Sequence, residues 1–250
     1  MGKVGIAIAR PPNLESFYSE LVREMDWSPA ELRPHAASTN AYDDVARLLE
    51  NIPTGGKALE IGCGIGKFSV SIAEKFEELV GIDISKVATE RAGMEQSKNL
   101  AALDSKVTYL AANADNTFPF DNNEFDTVIM IAVLEHVIDV FHVMDEIKRV
   151  CKTGGSVFIT VPNAAYLRHV RDLLFGRVPL TGTYTREIHQ WRTLGWDGAH
   201  FHQFTKSALN ELLEDTGFTA QDWTGDGKWA KYRRWLPNMV GSLTVRATKD

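Results

Sequence analysis

A chain of 250 residues, 44% hydrophobic and 24% charged, is long and apolar enough for one domain with a sizeable core. Its formal net charge of -6 argues against a general binder of nucleic acid or of anionic membranes. Its two cysteines, Cys63 and Cys151, exclude a disulfide framework and a cysteine-based zinc spacing. The first apolar run is closed by Arg10 and is too short for a secretory signal. Ile6 stands where a myristoylation site needs Ser or Thr, and no stretch has membrane-spanning length. A soluble, cytoplasmic protein is expected. Leu14 to Trp27 and Ala41 to Ile52 have helical spacing, with Val45, Leu48, Leu49 and Ile52 forming a stripe suited to lie on a sheet. These residues read as an N-terminal helical layer, part of which is expected to cover a site.

The strand Lys57 to Ile61 runs into Gly62-Cys63-Gly64-Ile65-Gly66, and a helix with Phe68, Ile72, Ala73 and Phe76 on one face follows. Glycines at alternate positions let the backbone turn sharply and approach a ligand without a Cβ in the way. A helix N-terminus behind them offers unpaired N–H groups to an anionic group. The dinucleotide fingerprint does not fit, because its third glycine would fall on Lys67. The run from Glu60 to Gly66, acidic-x-Gly-x-Gly-x-Gly, resembles instead the first motif of the class I S-adenosylmethionine-dependent methyltransferases. In that family the turn wraps the methionine part of the cofactor.

The second strand, Leu79 to Ile84, carries Asp83 at its C-terminal end, and Ser85 is placed to cap the next helix. An acidic residue about 20 positions beyond the first glycine can accept hydrogen bonds from both ribose hydroxyls of a nucleoside. The third strand, Val107 to Ala112, ends at Asn113-Ala114, where the resembling family usually has Asp-Ala to hold the adenine. Asn is a departure, though its amide oxygen can still accept from an amino group; Asp115 is the rival. The fourth strand, Phe125 to Ile131, is a continuous apolar run suited to a strand buried on both faces. It leads to Leu134-Glu135-His136-Val137, a stretch similar to that of many small-molecule members of the family. Thr153-Gly154-Gly155 reads as a turn into a fifth strand, Ser156 to Val161. Strands alternating with helices imply a doubly wound parallel sheet, whose ligands bind beyond the carboxyl ends of the strands.

A helix containing Tyr166, Leu167, Val170, Leu173 and Leu174 stops at Gly176, and the long stretch from Arg177 to Gln203 is expected to be a lid or binding loop. Tyr184, His189, Trp196 and His200 are its candidate acceptor-binding residues. Its histidines match none of the usual metal-ligand spacings, so no metal is expected. Thr205 caps a further helix ending at Gly217, and strands Phe218 to Trp223 and Met239 to Ala247 complete the sheet.

The resemblance implies an α/β fold: a Rossmann-like, doubly wound, seven-stranded, mostly parallel sheet with its last strand antiparallel, plus N-terminal helices and a lid insertion. One methyltransferase domain is expected over 1–250, with a helical cap at 1–52, a cofactor-binding core at 53–163, a lid at 164–204 and core completion at 205–250. The implied cofactor is S-adenosyl-L-methionine, held by Glu60, Gly62, Cys63, Gly64, Asp83, Ile84, Asn113, Ala114 and Ile131. Methyl transfer is mostly positioning, and a hydroxyl nucleophile also needs a base. His136 is the leading base, on the expectation that a helix N-terminus there lowers its pKa; Glu135 reads as an electrostatic partner of the helix start. The segments 173–179 and 196–205 are similar to those of methyltransferases of bacterial cell-surface sugar and natural-product pathways. That implies a small polar acceptor, methylated on oxygen: a sugar, a natural product, or a phosphorylated metabolite met by Arg168, Arg171, Arg177 or Arg186. No nucleic acid or membrane partner is expected. The alternatives are a nicotinamide-dependent oxidoreductase and a non-catalytic nucleoside-binding relative.

Overall fold

The computed structural model describes residues 14–23, 25–31, 40–182, 191, 195–226 and 236–250. A seven-stranded sheet runs in the order β3-β2-β1-β4-β5-β7-β6, made of β1 (Lys57–Ile61), β2 (Glu78–Asp83), β3 (Val107–Ala111), β4 (Phe125–Ile131), β5 (Cys151–Pro162), β6 (Phe218–Thr224) and β7 (Ser242–Lys249). The first five strands pair in parallel. β7 is antiparallel to both β5 and β6. The expected Rossmann-like sheet with an antiparallel last strand is therefore the observed one. Its strand order reverses between β1 and β4, and crevices form at such a switch.

Alternation along the strands divides the core between the two faces. Leu59, Ile61, Val128, Met130, Val157 and Ile159 pack with α5 (Val140–Val150) and α7 (Lys206–Asp215). Ala58, Leu79, Ile129 and Phe158 pack with α2 (Ala41–Leu49) and α3 (Lys67–Ile72). The helices begin where side-chain acceptors meet free amides: Asn40 receives the Asp43 amide, Ser85 the Ala88 amide at the start of α4 (Lys86–Asn99), and Thr205 the Ala208 amide. Among the described residues no helix is long and apolar enough to cross a membrane.

Two expectations change. The Thr153–Gly155 turn is absorbed into β5: Phe125 pairs with Cys151 and Thr127 with Ser156, so the extra residues bulge out of one continuous strand. α5 starts only at Val140, because the Asp139 side chain caps it by accepting from the amides of Phe141 and His142. Phe141 consequently faces outward, while Val143, Met144, Ile147 and Val150 face in. Helix α6 (Leu167–Leu174) buries His169 and Asp172 and exposes Leu167, Val170, Leu173 and Leu174.

Helix α1 (Leu14–Arg23) lies beside α4. Ser19 Oγ is 2.8 Å from Ser85 Oγ, Arg91 donates to the Val22 and Met25 carbonyls, and Trp27 Nε1 donates to the Ile65 carbonyl at 2.8 Å. The helix ends at Arg23 rather than at Trp27, which frees Trp27 to reach the glycine turn.

Candidate active site

The glycine turn is built on left-handed backbone. Gly62 has φ 76°, and an added Cβ there would be driven into the Val133 side chain. Gly64, with φ 53°, has nothing within 4 Å of that position, so open space begins at its backbone. The turn offers room more than donors. The amides of Gly62 and Cys63 are taken by the Ile82 carbonyl, that of Gly66 by Cys63, and that of Gly64 by Asp83 Oδ2 at 2.9 Å. These four turn amides are thus paired, and α3 behind them has six residues with no side chain capping its start.

Asp83 Oδ1 accepts the Ser85 amide at 2.8 Å. Burial raises the Asp83 pKa, while the Ser85 and Gly64 amides oppose the rise. Each oxygen keeps a lone pair for a ligand. Asn113 Oδ1 accepts the Asp115 amide at 3.0 Å, and Asp115 Oδ1 in turn braces the amides of Ile138 and Asp139 at 2.7 and 3.2 Å.

A cavity of about 300 Å³ lies beyond the strand ends. Gly62, Gly64, Asp83, Ile84, Asn113, Ala114, Ile131 and His136 all line it, as does Asp115. Helix α1 and the chain after it contribute Leu14, Tyr18, Val22 and Met25. Sequence reasoning expected a covering layer without naming these residues. The apolar spacing of Leu14, Tyr18 and Val22 was its only trace.

Glu60 and Cys63 do not line the cavity. The Cys63 side chain packs beside Gly81, close to where a Cβ there would stand. Glu60 is buried and accepts from Ser69 Oγ, and burial pushes its pKa up to about 7. The sign of its effect on stability follows. A folded-state pKa above the unfolded value means that the folded protein holds the proton more tightly, so the contribution is complete below about pH 4.5 and is lost as pH rises through about 7. The protein should lose up to roughly 3 kcal/mol from this group between those limits. Urea denaturation at pH 5 and pH 8 checks this, with Glu60→Gln expected to reduce the difference by about that amount.

His136 sits in the turn between β4 and α5. Ala132, which opens that turn, holds φ 54°, a conformation rare for a residue with a Cβ. His136 Nδ1 is 3.1 Å from the Ala199 carbonyl. A carbonyl only accepts, so Nδ1 carries the proton and Nε2 the lone pair. Burial lowers the His136 pKa and the Ala199 bond opposes it. The expected cause, a helix N-terminus, is absent because α5 begins four residues later, at Val140.

Glu135, 1% exposed, is no helix-start partner either. Neither of its carboxyl oxygens has a hydrogen-bond partner among the described residues, and burial pushes its pKa up to about 8. Its backbone carbonyl accepts the amides of Phe201 and His202 at 2.8 and 3.2 Å. These bonds bring His200 against the turn, with the His136 and His200 ring centroids 4.5 Å apart. Burial, with His136 adding to it, takes the His200 pKa down to about 4. Trp196 is 64% exposed, packs edge-on against Trp191 and does not line the cavity. Tyr184 and His189, with Arg186, lie outside the described residues.

A doubly wound sheet with a glycine turn after β1, an acidic residue ending β2 and a ligand-sized cavity at the switch point defines the class I S-adenosylmethionine-dependent methyltransferase fold. The methyltransferase domain family matches residues 31–222, and the chain belongs to that family. The human mitochondrial ubiquinone biosynthesis O-methyltransferase is 25% identical over 213 residues, 81% of this chain and 55% of that protein. The 27-O-demethylrifamycin SV methyltransferase of Amycolatopsis mediterranei is 30% identical over 185 residues, 70% of this chain and 66% of that one. The chain spans about half the length of several of the curated relatives it matches. An S-adenosylmethionine-dependent methyltransferase from Mesorhizobium loti shares the fold, with a TM-score of 0.61 at 17% identity, over 84% of this chain and 98% of that one.

Proposed function

We propose that the protein moves a methyl group from S-adenosylmethionine to a hydroxyl of a small acceptor. The observation that carries this reading is that Asp83 and His136, from opposite sides of the switch point, line one cavity. The residues present fit the cofactor. Asp83 keeps acceptor capacity for two ribose hydroxyls, Gly64 leaves open space beside it, and the Tyr18 hydroxyl is buried at the cavity with no hydrogen-bond partner among the described residues. Asn113 and Ala114 would meet the adenine edge, and Ile84 and Ile131 supply apolar contact. Bound there, S-adenosylmethionine supplies an electrophilic methyl group. The protein's own part is to orient the two reactants and to handle one proton.

His136 Nε2 is the atom suited to take that proton. Its partner nitrogen is fixed as the donor to Ala199, and burial favours the neutral ring. Substituting His136→Gln should lower kcat by about 10²- to 10⁴-fold while leaving S-adenosylhomocysteine affinity within about threefold. Steady-state rates with parallel calorimetry test it.

The names of the human and Amycolatopsis relatives specify O-methylation and a rifamycin acceptor, respectively. They support an acceptor of natural-product type, and the apolar Ile131, Val133 and Val137 beside His136 suit its carbon skeleton. A phosphorylated acceptor gains nothing from Arg168, Arg171 and Arg177, which are exposed and do not line the cavity. Sugars stay in the acceptor screen on the strength of the sequence resemblance. Calorimetric titration with S-adenosylmethionine, S-adenosylhomocysteine and NADH tests the cofactor directly. Saturable binding of the first two alone is expected, and binding of NADH alone would replace this reading with an oxidoreductase.

A further inference from the structure

Beside the cavity the structure assembles three groups that hydrogen-bond chemistry leaves mismatched. One ligand-type atom each of Glu135, His136 and His200 lies within 4.8 Å of the other two, with His200 Nε2 4.0 Å from Glu135 Oε1. The protons on the two rings can be located. His136 Nδ1 donates to the Ala199 carbonyl. Thr181 Oγ1 gives its only hydrogen to Asp197 Oδ2 at 2.5 Å, so at 2.9 Å from His200 Nδ1 it must accept, and His200 also carries its proton on Nδ1. Both Nε2 atoms therefore hold lone pairs. Glu135, almost completely buried, has two oxygens with no donor among the described residues. Acceptors gathered in a buried place repel one another unless Glu135 keeps a proton or something positive sits among them.

We infer that Glu135, His136 and His200 form a binding site for one divalent cation of the kind that takes imidazole nitrogen together with carboxylate oxygen, such as Zn²⁺, Mn²⁺ or Co²⁺. Two imidazoles and a carboxylate are a donor set used by open, three-ligand sites, and it disfavours Mg²⁺ and Ca²⁺, which prefer oxygen alone. The surroundings have the form that such sites need. Metal-binding histidines usually donate their other N–H to a carbonyl or, directly or through a hydroxyl, to a carboxylate, which fixes the ring. His136 does the first, and His200 the second through Thr181 and the buried Asp197, which also accepts the amides of Thr181 and Gly182. Left-handed backbone at Ala132, Asp197 and Ala199 sets both ligand segments in place, an expense of strain that tends to collect at working sites.

The expectation of no metal rested on spacing within the stretch from Arg177 to Gln203. It missed this set because two ligands come from the turn after β4 and the third from a distant segment. Binding itself does not depend on the proposed reaction. Only its consequence rests on that reading: with the ion loaded, the His136 lone pair is committed to it, and an ion beside the cavity can take the acceptor oxygen as a further ligand.

The test uses tag-free protein stripped with a chelator and titrated with Co²⁺, read by its visible absorption, then with Zn²⁺ as competitor. One equivalent of Co²⁺ should bind with a ligand-field spectrum, be displaced by Zn²⁺, and raise the melting temperature. Glu135→Gln and His200→Ala should each weaken binding at least about 100-fold, and Thr181→Val, which removes only the support of His200, about 10- to 100-fold. Absence of saturable binding, or equal affinity in the wild type, Glu135→Gln and His200→Ala, would overturn the site and assign Glu135 a proton instead. Should Glu135→Gln not fold, His200→Ala decides alone. S-adenosylhomocysteine titrations on the same samples keep the two readings apart: cation binding without cofactor binding removes the methyltransferase proposal and leaves the site, and the reverse removes the site only.

Discussion

Replacing Asp83 with alanine should weaken S-adenosylmethionine binding by at least about 100-fold. Two charge-assisted hydrogen bonds to vicinal hydroxyls contribute together roughly 3 kcal/mol, and each 1.4 kcal/mol is a factor of ten. The carboxylate is already oriented for this task, because the amides of Gly64 and Ser85 hold one oxygen each, at 2.9 and 2.8 Å. The same bonds tie the glycine turn to the start of α4, so alanine also loosens the cavity wall. Asp83→Asn separates the two contributions, since it keeps one acceptor oxygen and the side-chain shape but loses the charge. Its affinity should fall between those of the wild type and alanine. Calorimetry gives the affinity and thermal melting reports the structural share. Alanine affinity within about threefold of the wild type would remove Asp83 from the ribose.

Gly62→Ala should destabilise the fold by about 2–5 kcal/mol. Left-handed backbone costs a residue with a Cβ about 1–2 kcal/mol, and overpacking adds roughly 1–3. Both apply here: φ is 76°, and the new methyl group would meet the Val133 side chain. Pairing it with Val133→Ala relieves the collision and leaves the backbone strain, so the double variant should recover part of the loss beyond additivity. Urea denaturation of the two single variants and the double variant completes the cycle. A single variant as stable as the wild type would mean that the turn does not have this geometry.

The sheet and one side of the cavity were legible from local signals. Apolar runs, glycine positions and Asp83 at a strand end are features of one short segment each, and topology brings such strand ends together without further information. What was not legible depends on contact between distant segments. The pairing of His200 with His136 and Glu135 is made by backbone bonds from Phe201 and His202 to the Glu135 carbonyl, which leave no periodic trace. Burial of the Glu135 carboxyl is likewise a tertiary outcome, since in sequence it reads as an ordinary charged residue at a helix start. Glu60 and Cys63 sit in the right motif, but alternation along β1 sends Glu60 to the face opposite Ile61, and Cys63 packs against Gly81. The start of α5 was misplaced because the Asp139 cap wins over the apolar residues ahead of it.

The clasp on α1 ties the speed of exchange to residues outside the sheet. Whatever occupies the cavity lies against Leu14, Tyr18, Val22 and Met25, and the helix bearing the first three is fastened to α4 and the glycine turn through Ser85, Arg91 and Ile65. A ligand held there touches that helix as well as the strand ends, so weakening these fastenings, as in Arg91→Ala, is expected to shorten its residence time.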